Sequence, residues 1–172
     1  MRRQAMKYLV LAASAAMVSN AGNAATTTGN LSVTATVTSA CLVVTLPVAF
    51  GIYDPTSGTP TDATGSVTVT CTFGTTYTIA LDDGANPGMA GDVNTRRMLA
   101  NASDYLPYNL YLDAGHATVW GDGISGSLNP TTGSFTATGL PQAYSVYGRI
   151  PINQYVAGGA YLDTVVATVT YN

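Results

Sequence analysis

The sequence predicts an all-β fold of the β-sandwich kind, on three observations. Short segments alternate apolar and hydroxyl-bearing residues along most of the chain. Clusters of Gly, Pro, Asn and Asp punctuate them as turns. Glu is absent and Lys occurs only at position 7, whereas solvent-facing helix positions are normally rich in both.

The first residues precede the fold. Arg2, Arg3 and Lys7 form a positive leader, Tyr8 to Val18 is a short Ala-rich apolar run, and Gly22-Asn23-Ala24 supplies small residues for cleavage. Residues 1–24 therefore read as a secretory signal peptide. The apolar run is shorter than the ~20 residues a membrane-spanning helix needs.

Asn30–Cys41 is the first strand-like segment. Leu31, Val33, Ala35 and Val37 form one stripe, and Ser32, Thr34, Thr36 and Thr38 the other. No strand precedes it, so it must pair downstream or with another copy of the chain. Leu42–Leu46 follows as a short apolar strand ended by Pro47, and Asp54–Pro60 is a dense turn region. Gly65–Phe73 places Val67, Val69 and Cys71 on one face. Tyr77–Leu81 places Tyr77, Ile79 and Leu81 on one face and turns at Asp82-Asp83-Gly84.

Arg97–Ala100 is a short apolar piece. Leu106–Leu112 is a strand with Tyr108, Leu110 and Leu112 together, turned by Asp113–His116. After Trp120-Gly121-Asp122-Gly123 comes a loop rich in Ser, Gly, Asn, Pro and Thr. Ser134–Gly139 is a weak strand and Ala143–Ile152 a stronger one. The last strand, Tyr161–Tyr171, sets Val165, Ala167, Val169 and Tyr171 against Val166, Thr168 and Thr170. That makes about seven to nine strands and one domain.

Composition excludes several functions. Outside the leader the only basic residues are Arg96, Arg97 and Arg149, so no basic patch exists to neutralise nucleic-acid phosphates. Cys41 and Cys71 are the two cysteines of an exported chain and should form a disulfide. Closing that loop contributes about 3–4 kcal/mol in the chain-entropy model. A metal pair would need further ligands, and His116 is the single histidine. Asp82-Asp83-Gly84 and Asp122-Gly123 have turn chemistry and lack calcium-loop spacing. No Gly-x-Ser-x-Gly nucleophile motif occurs, so we expect no enzyme, no catalytic residue and no cofactor. The tyrosines suit core and cross-strand packing better than a carbohydrate platform. Asn30-Leu31-Ser32 and Asn101-Ala102-Ser103 match an N-glycosylation pattern. Arg149 and Asp163 are candidates for a cross-strand ion pair.

Taken together, Phe50-Gly51 with Tyr53, Gly65-x-Val67-x-Val69-x-Cys71, Arg97-Met98, Tyr108-x-Leu110-Tyr111-x-Asp113, Trp120-Gly121-Asp122-Gly123, Tyr147-Gly148-Arg149-Ile150, Gln154 and Gly159-x-Tyr161-x-Asp163-Thr164-Val165 resemble the spore coat protein U domain. Subunits of archaic chaperone–usher pili share that domain. The resemblance runs in order through essentially the whole chain after the leader.

It implies an immunoglobulin-like β-sandwich lacking its final strand, completed by donor-strand complementation. The implied division is signal peptide 1–24, donor-strand extension 25–40 and sandwich domain 41–172. Leu31, Val33, Ala35 and Val37 would be the donor face, with Ala35 over a shallow part of the groove. Val165, Ala167, Val169 and Tyr171 would line one wall of the acceptor groove, the opposite parity with Val166 being the alternative. Implied partners are other subunits in a head-to-tail polymer, a periplasmic chaperone and an outer-membrane usher. The implied location is the cell surface, and the implied role is attachment and biofilm formation. The alternative is a spore coat or surface-layer protein folding as a closed sandwich; a receptor-binding tip subunit would need a separate binding domain.

Overall fold

A computed structural model describes residues 22, 24–123 and 133–172. The leader expected at 1–24 and the loop at 124–132 therefore fall largely or wholly outside the described residues. Among the described residues no helix is long and apolar enough to cross a membrane. The chain divides into two units, Met1–Thr36 and Val37–Asn172.

Within the first unit, residues 24–36 enter no sheet ladder and are exposed. The alternation read in this arm thus carries no strand pairing. A lone strand has nothing to bond its backbone to, and its apolar stripe gains nothing until a second surface covers it.

Among its described residues the second unit is all-β, with one 3-10 turn at Val93–Thr95. Its strands are β1 (Cys41–Leu46), β2 (Thr61–Cys71), β3 (Thr76–Leu81), β4 (Arg97–Ala100), β5 (Asp104–Pro107), β6 (Asn109–Tyr111), β7 (Phe135–Thr136), β8 (Gln142–Ile150) and β9 (Ala167–Tyr171). They form an antiparallel sheet of order β1-β2-β8-β6, a second of order β7-β3-β9, and the hairpin β4-β5. Val67, Val69 and Cys71 of β2, Tyr77, Ile79 and Leu81 of β3, and Val146 and Ile150 of β8 fill the core with Trp120. Period-two burial along β2, β3 and β8 is the one their sequences predict.

Three departures from the sequence reading have clear causes. Strand β2 begins at Thr61, before Gly65, because Thr61–Thr64 pairs with Tyr147–Ile150 of β8. That half carries no apolar stripe to read. The expected Leu106–Leu112 strand is two strands in different sheets, parted at Tyr108, just after β5 ends at Pro107, which has no N–H to donate. The expected Tyr161–Tyr171 strand forms a ladder only from Ala167 onward.

The disulfide joins Cys41 to Cys71, which face each other across β1 and β2. Arg149 does not reach Asp163. It pairs bidentately with Asp62, its cross-strand neighbour, at 2.7 Å for both bonds.

Candidate functional site

An open apolar cleft of about 930 Å³ runs between two chain segments, 45–53 and 156–167. Its floor is core: Val67, Leu81, Leu106, Tyr108, Leu110, Val146 and Ile150 all reach it. The first wall continues β1 past Pro47. Val48 and Phe50 turn inward there, and Phe50 packs edge-on against Tyr108 with ring centres 6.0 Å apart.

Two glycines let that wall lie on the sheet. A Cβ at Gly65 would stand 2.6 Å from the Leu46 carbonyl oxygen and 2.8 Å from Val48. One at Gly148 would stand 2.5 Å from Val48 and 2.7 Å from Phe50. Such separations exclude any side chain without a shift of the wall.

The second wall is the unpaired stretch before β9. Side-chain burial alternates from Tyr161 to Thr170 as in a strand. Leu162 exchanges both backbone hydrogen bonds with Leu99 of β4, at 2.8 and 3.1 Å, and the Val166 carbonyl accepts from Asp82 N–H. Successive residues of an extended chain point their backbone groups to opposite sides. Leu162 and Val166 therefore bond away from the cleft, and Tyr161, Asp163 and Val165 turn N–H and C=O toward it. Among the described residues those amides find no backbone partner. This is a free sheet edge above an apolar trough.

Asp163 fixes the free edge from behind. It accepts from Tyr108 Oη at 2.6 Å, from the Ala85 amide at 3.0 Å and from Asn86 Nδ2 at 3.3 Å. Gly84 abuts the Asp163 carboxylate closely enough to leave no room for a Cβ. Burial, then the hydrogen bond to Asp163, push the Tyr108 hydroxyl well above the ordinary tyrosine value, so it stays protonated and donates.

Arg96 ties the underlying strands together. The buried guanidinium donates to the carbonyls of Leu81, Asp82 and Trp120 and to Asn109 Oδ1, each at 2.8–2.9 Å. Burial pulls its pKa below the ordinary arginine value, with Tyr108, Asp82, Asp83 and Asp122 acting in the opposite direction.

His116 lies elsewhere. Its ring packs edge-on against Tyr111 and Tyr147, with Nε2 3.8 Å from Asp62 Oδ1, and both ring nitrogens lack a hydrogen bond among the described residues. The Asp62 carboxyl is held below the usual carboxylate range, first by its hydrogen bond from Arg149.

Of the residues expected in the groove, Val165 and Ala167 line the cleft. Val169 packs against the core farther along β9, and Tyr171 is exposed at its end, opposite Tyr77. Of the residues expected on the donor face, Leu31, Val33 and Val37 are 88%, 84% and 80% exposed, and Ala35 is exposed with them. Sequence reasoning missed the wall at 47–53 and the Tyr108–Asp163 bond. Phe50, Tyr53, Tyr108 and Asp163 all stood in the recognised motifs, but partners 55 positions apart give no local signal.

The geometry suits an extended apolar segment. The titratable residues of the cleft are Tyr53, Tyr108, Tyr161 and Asp163, and each donates or accepts within the fold.

Comparison with known proteins agrees with this architecture. The family described as the Spore Coat Protein U domain matches residues 27–168. Protein U of Myxococcus xanthus is 40% identical over 174 residues, covering 94% of each chain. Among solved structures, the fold is similar to a chain in the pre-assembly complex of a chaperone and a tip adhesion subunit from archaic chaperone–usher Csu pili of Acinetobacter baumannii. That likeness has a TM-score of 0.54 at 21% identity, over 78% of this chain and 40% of the other. An all-β immunoglobulin-like sandwich, a Cys41–Cys71 disulfide and a family match spanning most of the sequence place this chain in the spore coat protein U domain family.

Proposed function

We propose that the chain is a structural subunit of a bacterial surface pilus, exported through the periplasm and polymerised by donor-strand exchange. The observation that carries this reading is the free edge at Tyr161, Asp163 and Val165 above an apolar cleft, in a chain that also has an unpaired, alternating arm.

The two parts match in length and chemistry. Leu31 to Val37 and Tyr161 to Ala167 each span six residue steps, about 20 Å when extended. Seating Leu31, Val33 and Val37 in the trough is worth about 1.5–3 kcal/mol for each side chain, before ladder hydrogen bonds form. Val165 and Ala167 belong to the acceptor side. Val169 and Tyr171 continue the same stripe along β9. A donor supplied by the next copy makes a heterologous contact that does not close, which gives a fibre.

An open edge over an apolar trough is also an aggregation hazard. That is the physical reason for a periplasmic chaperone to cover the cleft first and for an outer-membrane usher to exchange chaperone for arm. Attachment and biofilm formation are the roles of such a fibre at the cell surface. The likeness to Protein U and the family description favour one other reading, a coat protein whose arm completes its own sandwich.

Denaturing gels separate the two. The full chain co-expressed with its chaperone should give a ladder in unheated samples that collapses to one band on boiling. Deleting residues 25–38 should remove the ladder and leave chaperone-bound monomer. A single monomer band in every lane, with the deletion unfolding the protein, would establish the closed coat reading instead.

A further inference from the structure

The surface of the second unit carries large apolar side chains at two opposite ends. Strand β2 runs between them, eleven residues or about 33 Å long. At the Cys71 end, Phe73 is 81% and Leu140 is 67% exposed. Their turns are bonded together, Gly74 N–H to the Ala137 carbonyl at 2.9 Å and Ala137 N–H to Thr75 at 2.8 Å. At the Thr61 end, Ile52 is 94% and Tyr155 is 72% exposed. Tyr53 Oη joins their segments, donating to the Pro151 carbonyl and accepting from Gln154 N–H. Ile52 lies at the mouth of the cleft.

The arm leaves the sandwich at the Phe73 end. Ala40 N–H donates to Thr72 Oγ1 at 2.9 Å, Thr72 N–H donates back to the Ala40 carbonyl at 2.9 Å, and Cys41 is disulfide-bonded to Cys71. Only three residue steps separate Ala40 from Val37, the last apolar residue of the arm's stripe. Fully extended they span about 10 Å.

That short tether decides what must touch. Segment 161–171 runs from the Thr61 end toward the Cys71 end, where Tyr171 pairs with Tyr77. A donor lying antiparallel to it exits at the Thr61 end. A parallel donor would exit at the Cys71 end, where the acceptor's own arm is rooted. The antiparallel donor brings its own Phe73 end to within about 10 Å of the acceptor's Ile52 end. The Cys71 end carries no charged residue, and at the Thr61 end Arg149 is neutralised by its pair with Asp62, leaving Asp54 as the nearby acid, so no like-charge repulsion opposes contact.

Resting on the proposed strand exchange, we infer that Phe73 and Leu140 of one copy pack against Ile52 and Tyr155 of the next, forming an apolar junction that sets the angle between successive subunits. The occupant of each patch is therefore a second copy of this chain. The junction fixes orientation, and the arm supplies the linkage.

Site-directed cross-linking of assembled full-length protein tests it. A chain with Phe73→Cys and Tyr155→Cys is polymerised and treated with a short bis-maleimide, beside chains carrying either substitution alone. The junction predicts that the double variant keeps its ladder after boiling, whereas both single variants fall to monomer. If all three give a heat-labile ladder and none keeps it after treatment, the junction is wrong and strand exchange stands. A boiling-resistant dimer in either single variant would mean that like ends meet, which also overturns the junction. If no heat-labile ladder forms even in the unsubstituted chain, strand exchange fails and the junction with it.

Discussion

At the scale of single residues, the polar groups around the cleft act as fasteners. Tyr108 has a folded-state pKa raised by burial and by its bond to Asp163. For a raised value, the stabilisation is fully present below the unfolded pKa, about 10 for tyrosine, and is lost as pH rises beyond it. Urea midpoints of the wild type should therefore fall above about pH 10. Tyr108→Phe should lower the midpoint near neutral pH by roughly 1–3 kcal/mol of stability and flatten the alkaline decline. An unchanged alkaline slope in that variant would remove Tyr108 as its source. Tyr144, raised first by burial and then by its bond to Tyr77, titrates in the same direction and leaves a residual slope. Arg96 is more demanding because its fork serves four oxygens in the interior. Arg96→Met should cost on the order of 3 kcal/mol or more in chemical denaturation, since buried acceptors lose their donors. Arg96→Lys should recover little of it, because an ammonium cannot reproduce the planar fork. The partners of Arg96 and Asp163 were not legible beforehand, because they are distant in sequence: the Asp163 bond to Tyr108 spans 55 positions.

Among the elements, legibility follows pairing. Strands β2, β3 and β8 each have one buried face, so period two appears in the sequence and survives in the structure. The hairpin β4-β5 escaped because its turn lacks the usual glycine. Asn101 and Ala102 both have positive φ, and Ser103 N–H closes the turn on the Ala100 carbonyl. That is a type I′ pattern with Ala where Gly is favoured. The segment before β9 was legible as an alternating strand, and its side chains do alternate. Its missing ladder was not legible, because pairing depends on what lies beside it. The cleft wall at 47–53 depends on the bare backbones of Gly65 and Gly148. Gly148→Ala should force Val48 and Phe50 outward, destabilising the fold by about 1–3 kcal/mol. It should also enhance hydrogen exchange along 47–53 relative to β3. Normal exchange at 47–53 in a stable variant would show that the wall does not rest on Gly148.

For the molecule as a whole, the proposed strand exchange assigns one end to anchor the arm and the long side to receive one. The disulfide closes a 30-residue separation and pins the root of the arm to β2. Cys41→Ser with Cys71→Ser should cost about 3–4 kcal/mol in the chain-entropy model. It should also loosen the arm's root, so assembled material should lose its resistance to unheated denaturant at lower temperature than wild type. Equal heat resistance would make the disulfide a matter of subunit folding alone. In the proposed assembly, the exposed ends, the unpaired edge and the scarcity of charge serve one surface for copies of this chain.

The most direct test of strand exchange is hydrogen exchange in the full-length chain before and after assembly, read on peptides that span 158–167. The account predicts fast exchange at the amides of Tyr161, Asp163 and Val165 in the unassembled subunit. It predicts strong protection once a neighbour's arm is seated, while β3 stays protected in both states. Fast exchange at 161–165 in assembled material, or full protection already present in a free monomer, would contradict it.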